Sequence, residues 1–521
     1  MNCDILNILL RKLRVYGFVG PAQPVGKRCD MTKKLWRVGI AALLSIAFGL
    51  LFLTSNSPLY RTYGGDSAIF VTLGRALLSG KVPYVDIFDH KGPMIFFINA
   101  FPQLFSRTVT AVWAQEVVLL FLSLLLIARM TGKMGIRFAL PAQLVYLAFF
   151  GLLIDGGNYT EEYCNFFTLL GLSTCVDYTF TERGSASWIH GLVLGISFSL
   201  CFMTRMNNAL GVAALTIVFT LALGWKGDGK GLARNALSFF AGCVLVCGPI
   251  LVYLGLHDAL GAFYYAAFEH NLLYAGVEDY SRKRMLLSDP YGDHAMICAG
   301  FCALGAVCAA LTDPKNRSLR VLCIAAVGFA VASAGSAFIS HKGYLHYLLP
   351  GALSAMMGAM LLERAFEKGP RQTGNLAAAA LCAYALSIGL PAQKTAARAA
   401  EEAEWTSEGF EEQSLELVSH VPEDERGDIL GYRVEHKWYV VTDVVPARRI
   451  FFMQEILGQA NPAIMDEVVE MMRTDPPKWL VMFYNRPFSP PYDARVVEIV
   501  EARYEQVATN DYNQLLRLKD E

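Results

Sequence analysis

The sequence predicts an α-helical polytopic membrane protein with about eleven transmembrane helices and a small C-terminal α/β domain. Its 521 residues are 54% apolar and only 17% charged, whereas a soluble domain carries about 25% charged residues. Mean hydropathy is +0.37, and apolar runs recur with the roughly 17 to 25 residues that a bilayer requires. A net charge of −1 gives no support for a nucleic-acid partner.

Hydropathy places the transmembrane helices one after another along most of the chain. The predicted spans are residues 38–54, 108–129, 136–153, 160–178, 187–204, 208–224, 236–256, 293–311, 319–339, 345–363 and 374–391. Lys and Arg residues concentrate in alternate short loops, and such loops face the cytoplasm. The N-terminus is therefore expected on the cytoplasmic side of the cell membrane, and the C-terminal end on the extracytoplasmic side.

Three regions follow from this pattern. Residues 1–37 form a basic cytoplasmic N-terminus, residues 38–391 a transmembrane domain with an external loop at 55–107, and residues 392–521 an extracytoplasmic α/β domain. The N-terminus lacks the cleavage site of a signal peptide, and one hypothesis is that translation begins at Met31. In the C-terminal domain, the pattern predicts strands at 428–434, 438–441 and 479–483, helices at 463–473 and 494–504, and a closing hairpin at 504–518.

The external loop 55–107 carries the first candidate site residue. Asp66 follows two glycines and precedes apolar residues with helical spacing as far as Ser79. Two readings stay open at this point. Asp66 can be the N-cap of that helix, and it can be a carboxylate at the mouth of a membrane cavity that acts as a general base or a metal ligand. The two roles are compatible, because a helix N-terminus also fixes the orientation of the carboxylate.

The same loop ends in a second polar run, Asp86-Ile-Phe-Asp89-His90-Lys91-Gly-Pro93. A lysine whose ammonium reaches the membrane surface accounts for Lys91 alone. It does not account for the adjacent acids and histidine, because ionisable groups beside a bilayer are costly unless they face a cavity, a partner or a substrate. Lys91 is well placed to hold a lipid phosphate as a point charge.

Acidic residues also open the fourth predicted span, in Asp155-Gly-Gly-Asn158-Tyr-Thr-Glu161-Glu162. Asn158 as N-cap with Glu161 three residues later would form a capping box. Two adjacent acids cannot both serve as caps, so a functional role is expected for at least one of Asp155, Glu161 and Glu162.

Basic residues on the predicted outer side complete the candidates. Arg205 ends the fifth span there, against the general bias of positive charge toward the cytoplasm. His341 and Lys342 form a second outer basic cluster. Together Lys91, Arg205 and Lys342 are predicted to line one site for an anionic headgroup, since a guanidinium fork binds phosphate well.

These motifs, in this order, resemble the GT-C glycosyltransferases, specifically the bacterial relatives of the protein O-mannosyltransferases and of the lipid A aminoarabinose transferases. Gly65-Asp66-Ser67-Ala68 is similar to the start of the family's first external loop, where Asp-Glu often stands in place of Asp66-Ser67. The run from Tyr84 to Pro93 is similar to the second part of that loop. The segments Asn158–Tyr163 and Tyr347–Pro350 resemble two later family elements.

The resemblance implies a multi-pass cell-membrane enzyme that transfers a sugar from a polyprenyl-phosphate donor to an extracytoplasmic acceptor, with inversion at the anomeric carbon. Asp66 would activate the acceptor hydroxyl, and the further catalytic candidates are Asp89, Glu161 and Glu162. The substrate-binding candidates are His90, Lys91, Asp155, Arg205, His341 and Lys342. A divalent metal is possible, although nothing in the sequence requires one. The sugar, and whether the acceptor is a cell-wall glycan, a lipid or a protein, stay open.

Two other classes of function compete with this interpretation. A transporter or flippase of a lipid-linked glycan should show internal repeats and polar groups near the bilayer midplane, whereas here the acidic residues gather near the outer face. A non-catalytic scaffold would leave the carboxylates of the external loop without a role.

Overall fold

The computed structural model describes residues 27–180, 187–275, 290–339, 342–405, 409–483 and 490–520. The chain divides into two compact units, residues 1–44 and residues 45–521. The described part of the first unit is helical and belongs to the helix Lys27–Phe52. The second unit contains the remaining helices and the C-terminal sheet.

Each predicted span coincides with a helix. These helices are Lys27–Phe52, Val109–Lys133, Leu140–Leu153, Thr160–Phe180, Trp188–Thr204, Ala209–Trp225, Gly229–Leu256, Pro290–Thr312, Arg317–Ala337, Pro350–Glu367 and Arg371–Trp405. Among the described helices, eight are long and apolar enough to cross a bilayer, and Leu140–Leu153 and Trp188–Thr204 are shorter apolar helices. The polytopic helical fold is thus confirmed, while the count of eleven spans and their orientation stay predictions.

The external loop contains two helices, Gly65–Leu78 and Met94–Gln103. We call the first of these the loop helix. The two helices pack closely at Gly74, where an added Cβ would overlap the backbone of Asn99. Glycine therefore permits this close approach. Between the helices Gly229–Leu256 and Pro290–Thr312, the described residues contain the short helix Leu260–Tyr264, the π-helix Tyr265–His270 and the helix Asn271–Ala275.

The C-terminal part is a four-stranded sheet flanked by helices, with strand order β1-β2-β4-β3. Its strands are β1 Ile429–Tyr432, β2 Trp479–Phe483, β3 Tyr504–Thr509 and β4 Asn513–Leu518, and its helices are Phe410–Ser419, Lys437–Thr442, Gln454–Ala460, Pro462–Thr474 and Ala494–Arg503. β1 pairs with β2 in parallel, while β4 is antiparallel to both β2 and β3. The predicted closing hairpin is β3–β4.

One sequence expectation for this region differs from the structure. The segment 438–441, predicted as a strand, lies in the helix Lys437–Thr442, because the periodicity of a short apolar run does not separate a strand from a buried helix. Residue 392, the predicted start of the C-terminal domain, lies inside the helix Arg371–Trp405, and the domain bounds stay predictions.

One apolar core joins the C-terminal part to the external loop. Tyr84 and Phe88 of the loop belong to the same buried cluster as Tyr432, Trp438 and Phe451 of the C-terminal part. Burial of aromatic side chains on this scale dominates packing energies. The loop and the C-terminal part therefore support each other's conformation.

Candidate active site

Asp66 lies in the first turn of the loop helix and is partly exposed. The helix begins at Gly65, and Gly64 occupies the N-cap position with φ at +31° and no side-chain cap. The N-cap reading of Asp66 is therefore wrong. A side chain at Gly64 would also overlap the Ser55 hydroxyl, so glycine suits this entry into the helix.

The loop around Lys91 is fixed by its own polar groups. Asp89 is buried, and its Oδ1 accepts a hydrogen bond of 2.7 Å from the Lys91 backbone N–H. The Tyr84 hydroxyl donates to the Lys91 carbonyl at 2.8 Å. A Cβ at Gly92 would overlap the Met203 carbonyl, so the loop lies directly against the end of the helix Trp188–Thr204. The predicted catalytic residue Asp89 thus has a geometric role in positioning Lys91.

His90 orients the Lys91 ammonium. The distance from Lys91 Nζ to His90 Nε2 is 2.8 Å. Burial holds the pKa of His90 well below its ordinary value, and the positive charge of Lys91 lowers it further. The imidazole is therefore neutral near pH 7, and its unprotonated ring nitrogen can accept a hydrogen bond from the ammonium. Burial raises the pKa of Asp89, an effect that Asp66 strengthens and Lys91 opposes.

Arg205 is held by contacts on two sides. It follows the helix Trp188–Thr204 directly and forms an ion pair with Glu161, whose side chain is only 1% exposed. Its guanidinium carbon lies 3.7 Å from the centroid of the Tyr347 ring, a cation–π distance. The Thr160 hydroxyl donates to Glu161 Oε2 at 2.7 Å. Of the adjacent acids Glu161 and Glu162, Glu161 is therefore the one that faces Arg205.

Lys91 and Arg205 line the same cavity of 220 Å³, which we call the basic cavity. Most of its remaining wall is apolar or aromatic. That apolar part includes Phe202, Phe263, Phe268, Leu272, Ile339 and Tyr347. Two cations in a largely apolar cavity suit an anionic group attached to a hydrocarbon chain.

Glu162 has a different environment from its neighbour Glu161. Its Oε2 accepts a hydrogen bond of 2.8 Å from the Asn158 backbone N–H, and Glu116 Oε1 accepts from the same N–H. The predicted capping box with Glu161 is wrong, because the acid that reaches back is Glu162. The Asn158 amide instead donates to Ser67 Oγ at 3.1 Å, which ties this turn to the residue after Asp66.

Glu116, which is buried in the structure, is absent from the predicted site residues, although the sequence places its carboxylate inside an apolar span, where an acid is costly without a function. His436, which precedes the helix Lys437–Thr442 of the C-terminal part, is absent from them as well. A Cβ at Gly65 would lie 3.8 Å from His436 Nδ1, so this ring stands beside the start of the loop helix. No local sequence pattern marks His436, because its neighbours come from distant parts of the chain.

Arg75 joins the loop helix to the C-terminal part. It is buried, and its Nη1 donates to the carbonyls of Tyr439 and Val440 at 3.2 and 2.8 Å. Its Nη1 also lies 3.2 Å from the Asp443 carboxylate. These contacts fix the helix Lys437–Thr442, and with it His436, relative to Asp66.

The remaining predicted residues lie apart from the basic cavity or outside the description. Asp155 lines two other cavities, of 290 and 810 Å³. Burial raises its pKa, and the charge of Asp66 adds to the effect. Lys342 is buried, and it is not among the described residues that line the basic cavity. His341 lies outside the described residues. Within the described ranges, no group of three or more His, Cys, Asp or Glu side chains forms a candidate metal site.

Solved structures share this architecture. ArnT from Cupriavidus metallidurans bound to undecaprenyl phosphate matches with a TM-score of 0.57 at 13% identity, over 91% of this chain and 97% of that one. The oligosaccharyltransferase of Archaeoglobus fulgidus in complex with Zn and sulfate matches with a TM-score of 0.51 at 14% identity, over 90% of this chain and 71% of that one. The chain has the GT-C fold. No protein-family model matches the sequence, and no curated protein matches it.

The GT-C fold confirms the architecture implied by the sequence motifs, and at these identities the likeness concerns the fold alone. The roles of Asp66, Asp89, Glu161, Glu162 and the substrate-binding candidates stay predictions. Their placement in the structure supports the proposals that follow.

Proposed function

We propose that this protein is an integral membrane glycosyltransferase that takes a sugar from a polyprenyl-phosphate donor and transfers it to an extracytoplasmic acceptor. The observation that carries the proposal is the basic cavity, where Lys91 and Arg205 stand among aromatic and aliphatic side chains. A polyprenyl phosphate has the matching chemistry, an anion joined to a long apolar chain. The ArnT structure named above was bound to undecaprenyl phosphate.

In the proposed reaction, an acceptor hydroxyl attacks the anomeric carbon of the donor sugar. The bond from that carbon to the phosphate oxygen breaks, and the polyprenyl phosphate leaves as an anion. The hydroxyl proton passes to the Asp66 carboxylate as general base. A single displacement of this kind inverts the anomeric carbon.

Lys91 and Arg205 stabilise the charge that develops on the departing phosphate. His90 and Asp89 hold Lys91 in place through the ammonium and the backbone N–H, respectively. Glu161 competes with the phosphate for Arg205. Such a competitor weakens product binding, which favours release of the lipid phosphate after transfer.

Binding of undecaprenyl phosphate to the purified protein tests the donor site directly. Native mass spectrometry should show one bound lipid, with the affinity reduced at least tenfold in Lys91→Ala, since a hydrogen bond to a charged group contributes about 1.5–3 kcal/mol. Lys230→Ala, at an exposed position, is the matched control. Equal binding by wild type and Lys91→Ala would contradict the proposal. A transporter would bind the lipid as well, so transfer of the sugar must be measured in parallel.

A further inference from the structure

A second cavity, distinct from the basic cavity, lies where the C-terminal part meets the external loop. It has a volume of 290 Å³ and is lined by Ser55, Gly65, Asp155, Tyr159, His436 and Lys437, among others. We call it the polar cavity. Among the residues that the structure describes, none lines both cavities. Its size lies near the lower limit for small-molecule sites, about 300 Å³.

The polar cavity has a defined shape because its two sides are fastened together. Arg75 holds the helix Lys437–Thr442 through the backbone carbonyls of Tyr439 and Val440. Arg449 of the C-terminal part donates to the Tyr84 carbonyl at 2.7 Å, and the Phe88 N–H donates to the Arg449 carbonyl at 3.0 Å. His436 therefore reaches the loop helix on a braced element rather than on a free loop.

Asp66 acts electrostatically on both cavities. Burial is the main cause of the raised pKa of Asp155 and of the lowered pKa of His436, two residues that line the polar cavity; the negative charge of Asp66 adds to the first effect and opposes the second. It also raises the pKa of Asp89, which positions Lys91 of the basic cavity. Gly65, the residue before the proposed general base, lines the polar cavity, so Asp66 stands at the edge of that cavity.

The lining of the polar cavity suits hydroxyl groups. Burial lowers the pKa of His436, so the ring is neutral near pH 7. A neutral imidazole presents one donor and one acceptor, and carboxylates of Asp155 and Glu435 add acceptors. Lys437 adds a donor. Carbohydrates and polyol headgroups present alternating donors and acceptors of this kind.

We infer that the polar cavity is the acceptor site, that it receives a hydroxyl-bearing group, and that His436 of the C-terminal part binds that group beside Asp66. This inference rests on the proposed transferase function and extends it, since it assigns the C-terminal part a share of the site.

The test compares His436→Ala with His420→Ala, a histidine exposed on the same C-terminal part. Membranes that contain each variant supply the polyprenyl-linked donor, and transfer is followed over a series of acceptor concentrations. His436→Ala should raise KM for the acceptor at least tenfold, while binding of undecaprenyl phosphate, measured by native mass spectrometry, stays at the wild-type value. His420→Ala should match wild type in both measurements.

The two readouts separate failure of the inference from failure of the proposed function. If His436→Ala keeps the wild-type KM for the acceptor, the polar cavity is not the acceptor site. The same conclusion follows if His436→Ala lowers the affinity for undecaprenyl phosphate by the same factor as it lowers the rate of transfer. If wild type itself binds no undecaprenyl phosphate, the donor proposal fails instead. If the protein uses another lipid donor, a higher KM for the acceptor in His436→Ala than in wild type would still support the acceptor site.

The source of the hydroxyl-bearing group is resolved by two acceptor preparations, delipidated wall glycan and a chloroform-soluble lipid extract. The polar cavity shares Thr54, Asp155, Gly156 and Ala399 with the 810 Å³ cavity, which has a largely apolar lining. A lipid acceptor would place its hydrocarbon there, so Ala396→Trp should reduce transfer to the lipid extract. Transfer to a wall glycan should not respond to Ala396→Trp. The His436 effect is expected with whichever preparation is used as acceptor.

Discussion

Replacement of Glu161 by Gln should tighten binding of a lipid phosphate while it destabilises the fold. Glu161 is paired with Arg205, and its side chain is 1% exposed. The three side chains Lys91, Arg205 and Glu161 together carry a net charge of +1. Glu161→Gln raises this net charge to +2 and removes the negative charge that repels a phosphate. The shape of the side chain hardly changes.

The expected size follows from Coulomb's law. Two unit charges about 8 Å apart at an effective dielectric constant of about 20 interact with about 2 kcal/mol. That energy corresponds to a roughly thirty-fold decrease in Kd. Folding responds in the opposite direction, because removal of one partner of a buried ion pair costs about 3–5 kcal/mol. The Tyr347 ring, 3.7 Å from the Arg205 guanidinium carbon, should keep the arginine in place.

The assay is a titration of purified protein with undecaprenyl phosphate, followed by native mass spectrometry, with the thermal midpoint measured in the same detergent. Glu162→Gln is the matched control, because Glu162 contacts the Asn158 backbone instead of Arg205. Glu161→Gln should lower Kd and Glu162→Gln should leave it unchanged. An unchanged or higher Kd in folded Glu161→Gln, or equal effects of the two variants, would refute the reasoning.

Three further perturbations test the supports of the site. Arg75→Ala should abolish most transfer and expose the C-terminal part to limited proteolysis, because the buried hydrogen bonds from the loop helix to the Tyr439 and Val440 carbonyls are lost. Arg75→Lys should not restore transfer, since an ammonium cannot reproduce the guanidinium fork. The pKa of His90 is held well below 6.5, so below that pH the unfolded chain binds a proton that the folded chain does not. The free energy of unfolding should then fall by up to about 1.4 kcal/mol per pH unit as pH decreases, and thermal midpoints from pH 7 to 5 should fall less in His90→Asn. Gly92→Ala should lower the free energy of unfolding by about 1–3 kcal/mol and weaken undecaprenyl phosphate binding, since its Cβ would overlap the Met203 carbonyl and displace Lys91. A thermal midpoint and a Kd equal to those of wild type would contradict this prediction.

The sequence was sufficient for features that depend on local pattern. The membrane helices follow from apolar runs of sufficient length, and the loop helix follows from its apolar spacing after Asp66. Lys91 and Arg205 could be selected because charges beside a bilayer are costly without a partner or a ligand. The structure places both of them on one cavity.

Features that depend on distant contacts could not be obtained from one sequence. Glu161 and Glu162 are adjacent, and only the packing of their helix shows that the first faces Arg205 while the second reaches back to Asn158. His436 lies far from Asp66 along the chain, so its place beside the loop helix depends on the Arg75 contacts. Helix and strand were confused at residues 438–441, because a short apolar run fits either when it is fully buried.

The most direct test of the central claim is lipid mass spectrometry on membranes of cells that contain wild type or Asp66→Asn at equal protein level. Without the general base, transfer should fall by a factor of about 10² to 10⁴, while the donor site remains intact. A sugar-loaded polyprenyl phosphate should therefore accumulate in the Asp66→Asn membranes. An unchanged lipid profile with folded Asp66→Asn protein would contradict the claim that Asp66 drives transfer from a polyprenyl-phosphate donor.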